Sequence, residues 1–312
     1  MTKKLSHRDV LRLRNAVAEP HELLATADGR TLFLRHWPGV GSPEVSVLIL
    51  HGITAHSGAY GTMLGHPLSA KGIDMWGLDL RGHGLSDGRR GDYPSRKRLE
   101  EDLAYAVTFV ARRSKRLVVL GHSLGVMTAL AAYQAAPQEV QGLVLLSAAR
   151  EINPAVFPSP TGGGAMKAIL GALLFRGWPL IEYRRTGQSG HQDPLYNFRY
   201  SARFYEILYG TGIITLADMM QRGSLDVRGL RPSGPIRVPV LVGVGDQDEI
   251  FSVRTVQDFC QSLPAEQKQL FVVPGARHAK FPTDGWGALV GWLSQLGARS
   301  TGDRPTQPSE VS

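Results

Sequence analysis

Residues 117–125 read Leu-Val-Val-Leu-Gly-His-Ser-Leu-Gly, and the mostly apolar residues 126–133 follow them directly. The β-prone apolar run predicts a strand, and the longer segment after the glycine predicts a helix. The G-x-S-x-G pattern between them places Ser123 on a sharp turn that exposes its hydroxyl at the top of a sheet. The start of the helix also points backbone N–H groups at this place, which suits a nucleophile and a reacting carbonyl.

A second G-x-S-x-G match occurs at residues 84–88, which read Gly-Leu-Ser-Asp-Gly. The apolar run before this match has ended by Arg81, and residues 88–94, Gly-Arg-Arg-Gly-Asp-Tyr-Pro, do not begin a helix. Because the motif needs its strand and helix to act as a nucleophile turn, we interpret Ser86 as a turn residue. Ser123 remains the predicted nucleophile.

The composition is typical of a large folded chain. It has 312 residues, 43% of them hydrophobic, which is enough for one large domain or a core with a smaller insert. The single cysteine, Cys260, excludes an intramolecular disulfide, and we expect it to pack as a small apolar residue on a helix. We find no apolar signal segment and no run of about 18 apolar residues, so a cytoplasmic location is the expectation.

The formal net charge of +8 raises the question of a nucleic-acid or membrane partner. Basic residues cluster at residues 89–90, 96–98 and 112–116, and the acidic residues 100–102 follow the second cluster. No aromatic residues interleave with these clusters, as a stacking platform for nucleic acid would need. We therefore interpret the clusters as solvated surface and predict no nucleic-acid partner.

Short apolar runs alternate with helical segments along most of the chain, which predicts an α/β fold. Such alternation favours a mostly parallel sheet with helices on both faces. The predicted strands cover residues 21–26, 31–37, 45–50, 73–80, 117–120, 143–147, 238–244 and 269–273, and an Asp-Gly turn at residues 28–29 joins the first two. The predicted helices cover residues 58–71, 96–113, 124–136, 252–263 and 284–297.

Residues 151–234 interrupt this alternation with prolines, a Gly-Gly-Gly run and helical segments without an intervening strand. Such an insert suits a cap over the carboxyl edge of the sheet, where α/β folds bind ligands. The predicted parts are an N-terminal extension with a short amphipathic helix (1–19), the core (20–150 and 235–298), the helical cap (151–234) and a disordered tail (299–312).

A serine nucleophile needs a base and a carboxylate that orients the base. His278 follows the last predicted strand, where this architecture places its chemistry, and is the predicted base. Two acids after the strand at 238–244 compete for the third role: Asp246 if Gly243 is the turn glycine, and Asp248 if Gly245 is. The apolar pair that follows Asp248 favours Asp248, and the order Ser-Asp-His matches the order in α/β-hydrolases.

A developing oxyanion needs preorganised N–H donors. We predict the backbone N–H of Leu124, directly after the nucleophile, as one donor. The second donor should come from the loop after the strand at 45–50, where Gly52 allows a tight turn and Ile53 follows it. The oxyanion hole is therefore predicted from the backbone N–H groups of Ile53 and Leu124.

Five sequence pieces together resemble the α/β-hydrolase superfamily, and within it the monoacylglycerol-lipase-like group, also called serine-aminopeptidase-like. They occur in the order of that family across residues 20–298, namely at residues 51–60, 79–86, 121–125, 245–248 and 275–278. The resemblance implies a Ser123–Asp248–His278 triad, oxyanion donors at Ile53 and Leu124, and a cap over the site. It also implies hydrolysis of carboxylic esters without a cofactor or metal ion.

The sequence thus predicts a serine hydrolase whose substrate is a small ester or lipid, such as a monoacylglycerol or another ester with a medium or long acyl chain. The alternatives are a short-chain carboxylesterase, an enzyme of the same fold that cleaves amides, thioesters or C–C bonds, and a non-catalytic ligand-binding protein. The cap segment at 166–180 is strongly apolar. It either packs the interior of the cap, or it forms the wall of an acyl-chain tunnel or a lid that contacts lipid aggregates transiently.

Overall fold

A central sheet of eight strands organises the protein, seen in a computed structural model that describes residues 5–157, 174–183, 185, 192–282 and 285–298. Every predicted strand is present with its bounds within a few residues. The strands are β1 (His21–Ala25), β2 (Thr31–Trp37), β3 (Ser46–Leu50), β4 (Asp74–Leu78), β5 (Leu117–His122), β6 (Gly142–Leu146), β9 (Val240–Gly245) and β10 (Lys268–Val273), with β7 (Ile181–Glu182) and β8 (Arg199–Tyr200) forming a separate ribbon.

The strand order in the sheet is β1-β2-β4-β3-β5-β6-β9-β10. The pairs from β4 to β10 are parallel, whereas β1 pairs with β2 and β2 with β4 in antiparallel fashion. β3, β5 and β6 are fully buried along their length, as expected for strands covered on both faces. The predicted α/β-hydrolase class with a mostly parallel sheet is confirmed.

Helices cover both faces of this sheet. They are α1 (His7–Asn15), α2 (His66–Ser69), α3 (Arg96–Ala111), α4 (Leu124–Ala135), α5 (Ala202–Tyr209), α6 (Ile213–Gln221), α7 (Val253–Ser262) and α8 (Gly287–Ala298). Leu48 and Val119 belong to a buried cluster that includes residues of α3, α4 and α7, whereas Val47 and Val118 belong to a second cluster, which includes residues of α8 on the other face. Cys260 is buried on α7, as predicted. Among the described helices, none is long and apolar enough to span a bilayer.

The segment predicted as one helix over 58–71 differs from that prediction. It contains a 3₁₀ turn (Ser57–Tyr60), a π turn (Gly61–Gly65) and only then the short helix α2. A Cβ atom on Gly65 would lie 2.5 Å from Cδ2 of Trp37. The glycines therefore let the segment pass close over the indole ring, at the expense of regular helix.

The N-terminal helix α1 packs on the core through a buried arginine. Nη2 of Arg14 lies 2.9 Å from Oδ1 of Asp87, and its Nε donates to the carbonyl of Leu85 at 3.0 Å. A buried guanidinium is tolerated only when it is paired and hydrogen-bonded in this way. The amphipathic pattern of this helix therefore serves packing in this structure.

The insert at 151–234 differs in one respect from the prediction of helices without a strand. It contains α5 and α6, but also the antiparallel ribbon of β7 and β8, which pairs residues 181–182 with 199–200. Arg90, predicted as solvated surface, is half-buried and donates to carbonyls of Gly84 and Leu195, which links the core to the insert. Most of the apolar segment at 166–180 and all of the tail at 299–312 lie outside the described residues.

Candidate active site

Ser123 occupies a strained turn between β5 and α4. Its φ of 56° and ψ of −120° are unusual for a residue with a side chain. Such backbone strain persists only where the surrounding structure imposes it, and it clusters at functional sites. Here β5 ends at His122 and α4 begins at Leu124, so the turn has a single residue.

The two glycines of the motif allow an unusually close approach of backbone segments. A Cβ atom on Gly121 would lie 2.1 Å from the carbonyl oxygen of Gly125, and one on Gly125 would lie 2.0 Å from that of Leu50. Real Cβ atoms do not come this close to backbone oxygens. The glycines thus bring the start of α4 against β3, which carries the loop of Gly52 and Ile53 at its end.

The structure brings Ser123, His278 and Asp248 into one hydrogen-bonded chain. Nε2 of His278 lies 3.0 Å from Oγ of Ser123. Nδ1 of the same ring lies 3.0 Å and 3.2 Å from the two carboxylate oxygens of Asp248. The side chain of Asp248 is fully buried and that of His278 nearly so. This geometry is the one that a serine, a general base and an orienting carboxylate require.

The two competing acids have different partners. Burial opposes ionisation of Asp248, but the adjacent His278 and the N–H groups of Phe251 and Ile250 outweigh burial, so the pKa lies below its ordinary value. Asp246 instead accepts a hydrogen bond from the N–H of Gly275 at 2.7 Å. Asp248 therefore contacts the histidine, whereas Asp246 fastens the turn after β10.

The predicted oxyanion donors lie beside the serine. Ile53 and Leu124 both line an apolar pocket that reaches Ser123. Their backbone N–H groups have no hydrogen-bond acceptor within the part of the chain that the structure describes. The hydroxyl of Tyr200, on the insert, donates to the carbonyl of Ile53 and so restrains this loop from above.

The sequence did not predict a buried hydrogen-bond network between two loops of the site. One loop contains Gly52 and Ile53 and is called the oxyanion loop; the other carries His278 and is called the histidine loop. Tyr60 Oη accepts from the N–H of Gly52 at 2.9 Å, so its own proton points to Nδ1 of His122 at 2.8 Å. His122 must then carry its proton on Nε2, which donates to the carbonyl of His278 at 2.7 Å. Burial lowers the pKa of His122 to about 3 and keeps the ring neutral. The signal for Tyr60 in the sequence is the His-Ser-Gly-Ala-Tyr stretch at residues 56–60, which lies within the first of the five family-like pieces.

Two pockets that differ in their polar side chains meet at Ser123. The first is called the polar pocket because it contains Arg185 and His278; its lining also includes Thr54, Tyr60, Tyr183 and Tyr196 and the apolar side chains of Ile53, Ala55, Ala59 and Met63. The apolar pocket is lined by Met127, Ile152, Phe157, Leu225, Leu230 and Phe251, among others. His278 lines only the polar pocket, whereas the start of α4 lines only the apolar one. A bound ester could therefore place different groups on the two sides of the serine.

Residues 41–282 match the family model described as serine aminopeptidase, S33 (Hydrolase_4). The chain belongs to this family. It has the α/β-hydrolase fold and belongs to the group that is similar to monoglyceride lipases.

Three similar proteins illustrate this relationship. Rat monoglyceride lipase is 25% identical over 83% of the chain and 82% of that protein. The protein YnbC of Escherichia coli (strain K12) is 29% identical over 85% of the chain, which spans only 44% of YnbC. A soluble variant of the Saccharomyces cerevisiae monoglyceride lipase, solved in complex with a substrate analogue, has a TM-score of 0.63 at 18% identity, with 90% of this chain and 96% of that one covered.

Proposed function

We propose that the protein hydrolyses carboxylic esters by two-step acyl transfer, with Ser123 as nucleophile, His278 as general base and Asp248 as the orienting carboxylate. The observation that carries this proposal is the continuous contact from Oγ of Ser123 through the imidazole to the buried carboxylate. An unbroken chain of this kind at a strained strand–helix turn suits acyl transfer better than passive ligand binding.

In the first step, His278 takes the hydroxyl proton of Ser123 as Oγ attacks the ester carbonyl. The negative charge that forms on the carbonyl oxygen is stabilised by the N–H groups of Ile53 and Leu124. The imidazolium, held by Asp248, then protonates the leaving alcohol as its C–O bond breaks. Water attacks the acyl-enzyme with His278 again as base, and the acid product and the free hydroxyl of Ser123 result.

The two pockets suggest how an ester is oriented. Because His278 must protonate the leaving oxygen, the alcohol has to lie on the side of the histidine, in the polar pocket. The acyl chain then extends into the apolar pocket between α4 and the insert. This assignment favours substrates with an apolar acyl chain and a polar alcohol, such as monoacylglycerols, on which the similar lipases act by name.

The insert also presents apolar side chains to solvent. Leu174, Phe175, Trp178 and Leu180 are each more than half exposed, and Arg89 stacks on the ring of Trp178. Exposed apolar groups flanked by cations suit a transient contact with a lipid aggregate. A rate increase as the substrate passes its critical micelle concentration would support this contact, and a rate without such an increase would contradict it.

The decisive experiment compares wild-type protein with Ser123→Ala on p-nitrophenyl esters from C2 to C16 and on 1-monoacylglycerols, together with labelling by a fluorophosphonate. We expect labelling of Ser123 and a loss of about 10⁴-fold or more in the variant. Highest activity on medium or long chains would support the lipase assignment, and activity confined to short chains would indicate a carboxylesterase. Retention of most activity by the variant would refute the mechanism.

A further inference from the structure

The polar pocket contains a guanidinium group that the acyl-transfer steps do not use. Arg185 belongs to the insert, yet its side chain is only 8% exposed and lines the same pocket as Ser123, Tyr196 and His278. Among the described residues that line this pocket, it is the one side chain with a permanent charge, and none of these residues carries a carboxylate. A bound leaving group would therefore meet a cation.

Glu249 holds this guanidinium from outside the pocket lining. Its Oε1 lies 3.0 Å from Nη1 of Arg185, while its Oε2 accepts from the backbone N–H of His278 at 3.1 Å. The acid that orients Arg185 is thus anchored on the histidine loop. This arrangement fixes the position of the guanidinium relative to His278 before any substrate binds, which is the requirement for a specific contact.

We infer that Arg185 makes the enzyme selective for esters whose leaving alcohol carries a phosphate or a carboxylate group. The leaving oxygen lies at His278 under the proposed function, on which this inference rests, so its other substituents extend into the pocket of Arg185. A guanidinium donates two parallel hydrogen bonds to anionic oxygens, and these are stronger than hydrogen bonds to a neutral hydroxyl. A matched neutral alcohol would gain less from the same contact.

The test compares kcat/KM for 1-butyrylglycerol 3-phosphate and 3-O-butyrylglycerate, each divided by kcat/KM for 1-butyrylglycerol. The short acyl chain keeps all three esters monomeric, and the first two distinguish phosphate from carboxylate. We expect at least one ratio above about 10 in the wild type, because one good charge-assisted contact corresponds to a factor of that order. Arg185→Gln should lower this ratio at least tenfold, and Arg185→Lys should retain part of it.

Glu249→Gln is the matched variant with the opposite expectation. It removes the negative charge of Glu249 beside Arg185 but keeps an acceptor for the N–H of His278, so the preference for the anionic ester should rise. Each ratio is internal to one protein sample, so partial misfolding of a variant cancels. If Arg185→Gln does not fold, the inhibition constants of free glycerol 3-phosphate and of glycerate decide. Both compounds should inhibit competitively and bind more tightly to Glu249→Gln than to the wild type; equal binding would contradict the inference.

The failures are distinguishable. Ratios near one in the wild type, or ratios unchanged in Arg185→Gln, overturn the inference, while hydrolysis of p-nitrophenyl butyrate that depends on Ser123 leaves the proposed function intact. If the wild type cleaves no ester and a fluorophosphonate does not label Ser123, the proposed function fails and the inference fails with it.

Discussion

Two aspartates only two positions apart show how local geometry assigns different tasks to the same side chain. The side chain of Asp248 turns inward after β9 and ends against the imidazole, where two backbone N–H groups also hold it. Asp246 reaches the turn after β10 and serves the backbone of Gly275. The loop between β9 and α7 therefore supplies one acid to the site and one to the fold.

Replacing each acid by asparagine should separate these tasks. Asp248→Asn removes the charge that stabilises the imidazolium and sets its tautomer, so kcat/KM for p-nitrophenyl butyrate should fall about 10³- to 10⁴-fold. Asp246→Asn keeps an oxygen for the N–H of Gly275 and should cost less than about tenfold, as a change outside the hydrogen-bonded chain. A larger loss of kcat/KM in Asp246→Asn than in Asp248→Asn would mean that Asp246, and not Asp248, is the acid that orients His278.

At the scale of elements, the site depends on how closely α4 approaches β3. Gly125 is the contact point, since its Cα faces the carbonyl oxygen of Leu50 with no room for a methyl group. The same approach places the N–H of Leu124 beside the loop of Ile53. The strained backbone of Ser123 is therefore the consequence of two glycines that allow strand and helix to meet without a linker.

A methyl group at Gly125 should disrupt this junction. Gly125→Ala would force β3 and α4 apart and should lower the free energy of unfolding by about 3 kcal/mol or more. The control is Gly291→Ala within α8, where a Cβ atom meets nothing within 4 Å. At that exposed helical position alanine should raise stability by about 0.5–1 kcal/mol. Urea unfolding measures the free energy of unfolding of both variants. If the two substitutions changed it by equally small amounts, the close contact between Gly125 and the carbonyl oxygen of Leu50 would be contradicted.

The elements that could be predicted from the sequence are those with a local signal. β5 and β9 are mostly apolar runs with a glycine at or next to their last residue, and α4 follows a motif that predicts its start. The order of the strands has no such signal, because it depends on which faces the crossover helices cover. The ribbon of β7 and β8 pairs only two residues on each strand, too few for any periodicity to appear.

The residues of the candidate site also fall into those with a local signal in the sequence and those without one. Ser123 and His278 follow strands whose ends meet at one edge of the sheet, so their positions could be deduced from the chain order. The contact of Arg185 with Glu249 spans 64 positions and joins two charged residues that individually resemble ordinary surface. The role of Tyr60 depends on a hydroxyl that bridges two loops. Only tertiary packing brings such partners together.

At the scale of the whole molecule, three fully or nearly fully buried histidines connect protonation to folding. His51 and His83 lie with their rings 5.1 Å apart, and His122 lies beneath the histidine loop. Burial lowers the pKa of His51 to about 4 and that of His122 to about 3, and it also lowers the pKa of His83. These rings are therefore neutral in the folded protein.

The stability of the protein should consequently fall as the pH drops from about 6.5 to 5. In the unfolded chain these histidines take up protons near their ordinary pKa of about 6.5, whereas the folded protein takes up none there. The unfolded state thus binds more protons in this window, and the free energy of unfolding decreases by at most about 1.4 kcal/mol per pH unit for each histidine. Urea unfolding at pH 8, 6.5, 5.5 and 5 measures the slope.

Asp28 and Asp248, whose pKa values are lowered, do not produce the same slope. Hydrogen bonds from Thr26 and Arg81 outweigh burial and lower the pKa of Asp28 to about 2, and the pKa of Asp248 is lowered as well. Their contribution to stability is present above the ordinary pKa of about 3.9 and is lost only as the pH falls below it, outside the window from 6.5 to 5.

His83→Gln should reduce the slope of the free energy of unfolding against pH by the contribution of one histidine, because glutamine does not titrate. A free energy of unfolding that stays constant from pH 8 to 5 in the wild type would contradict the neutral buried rings.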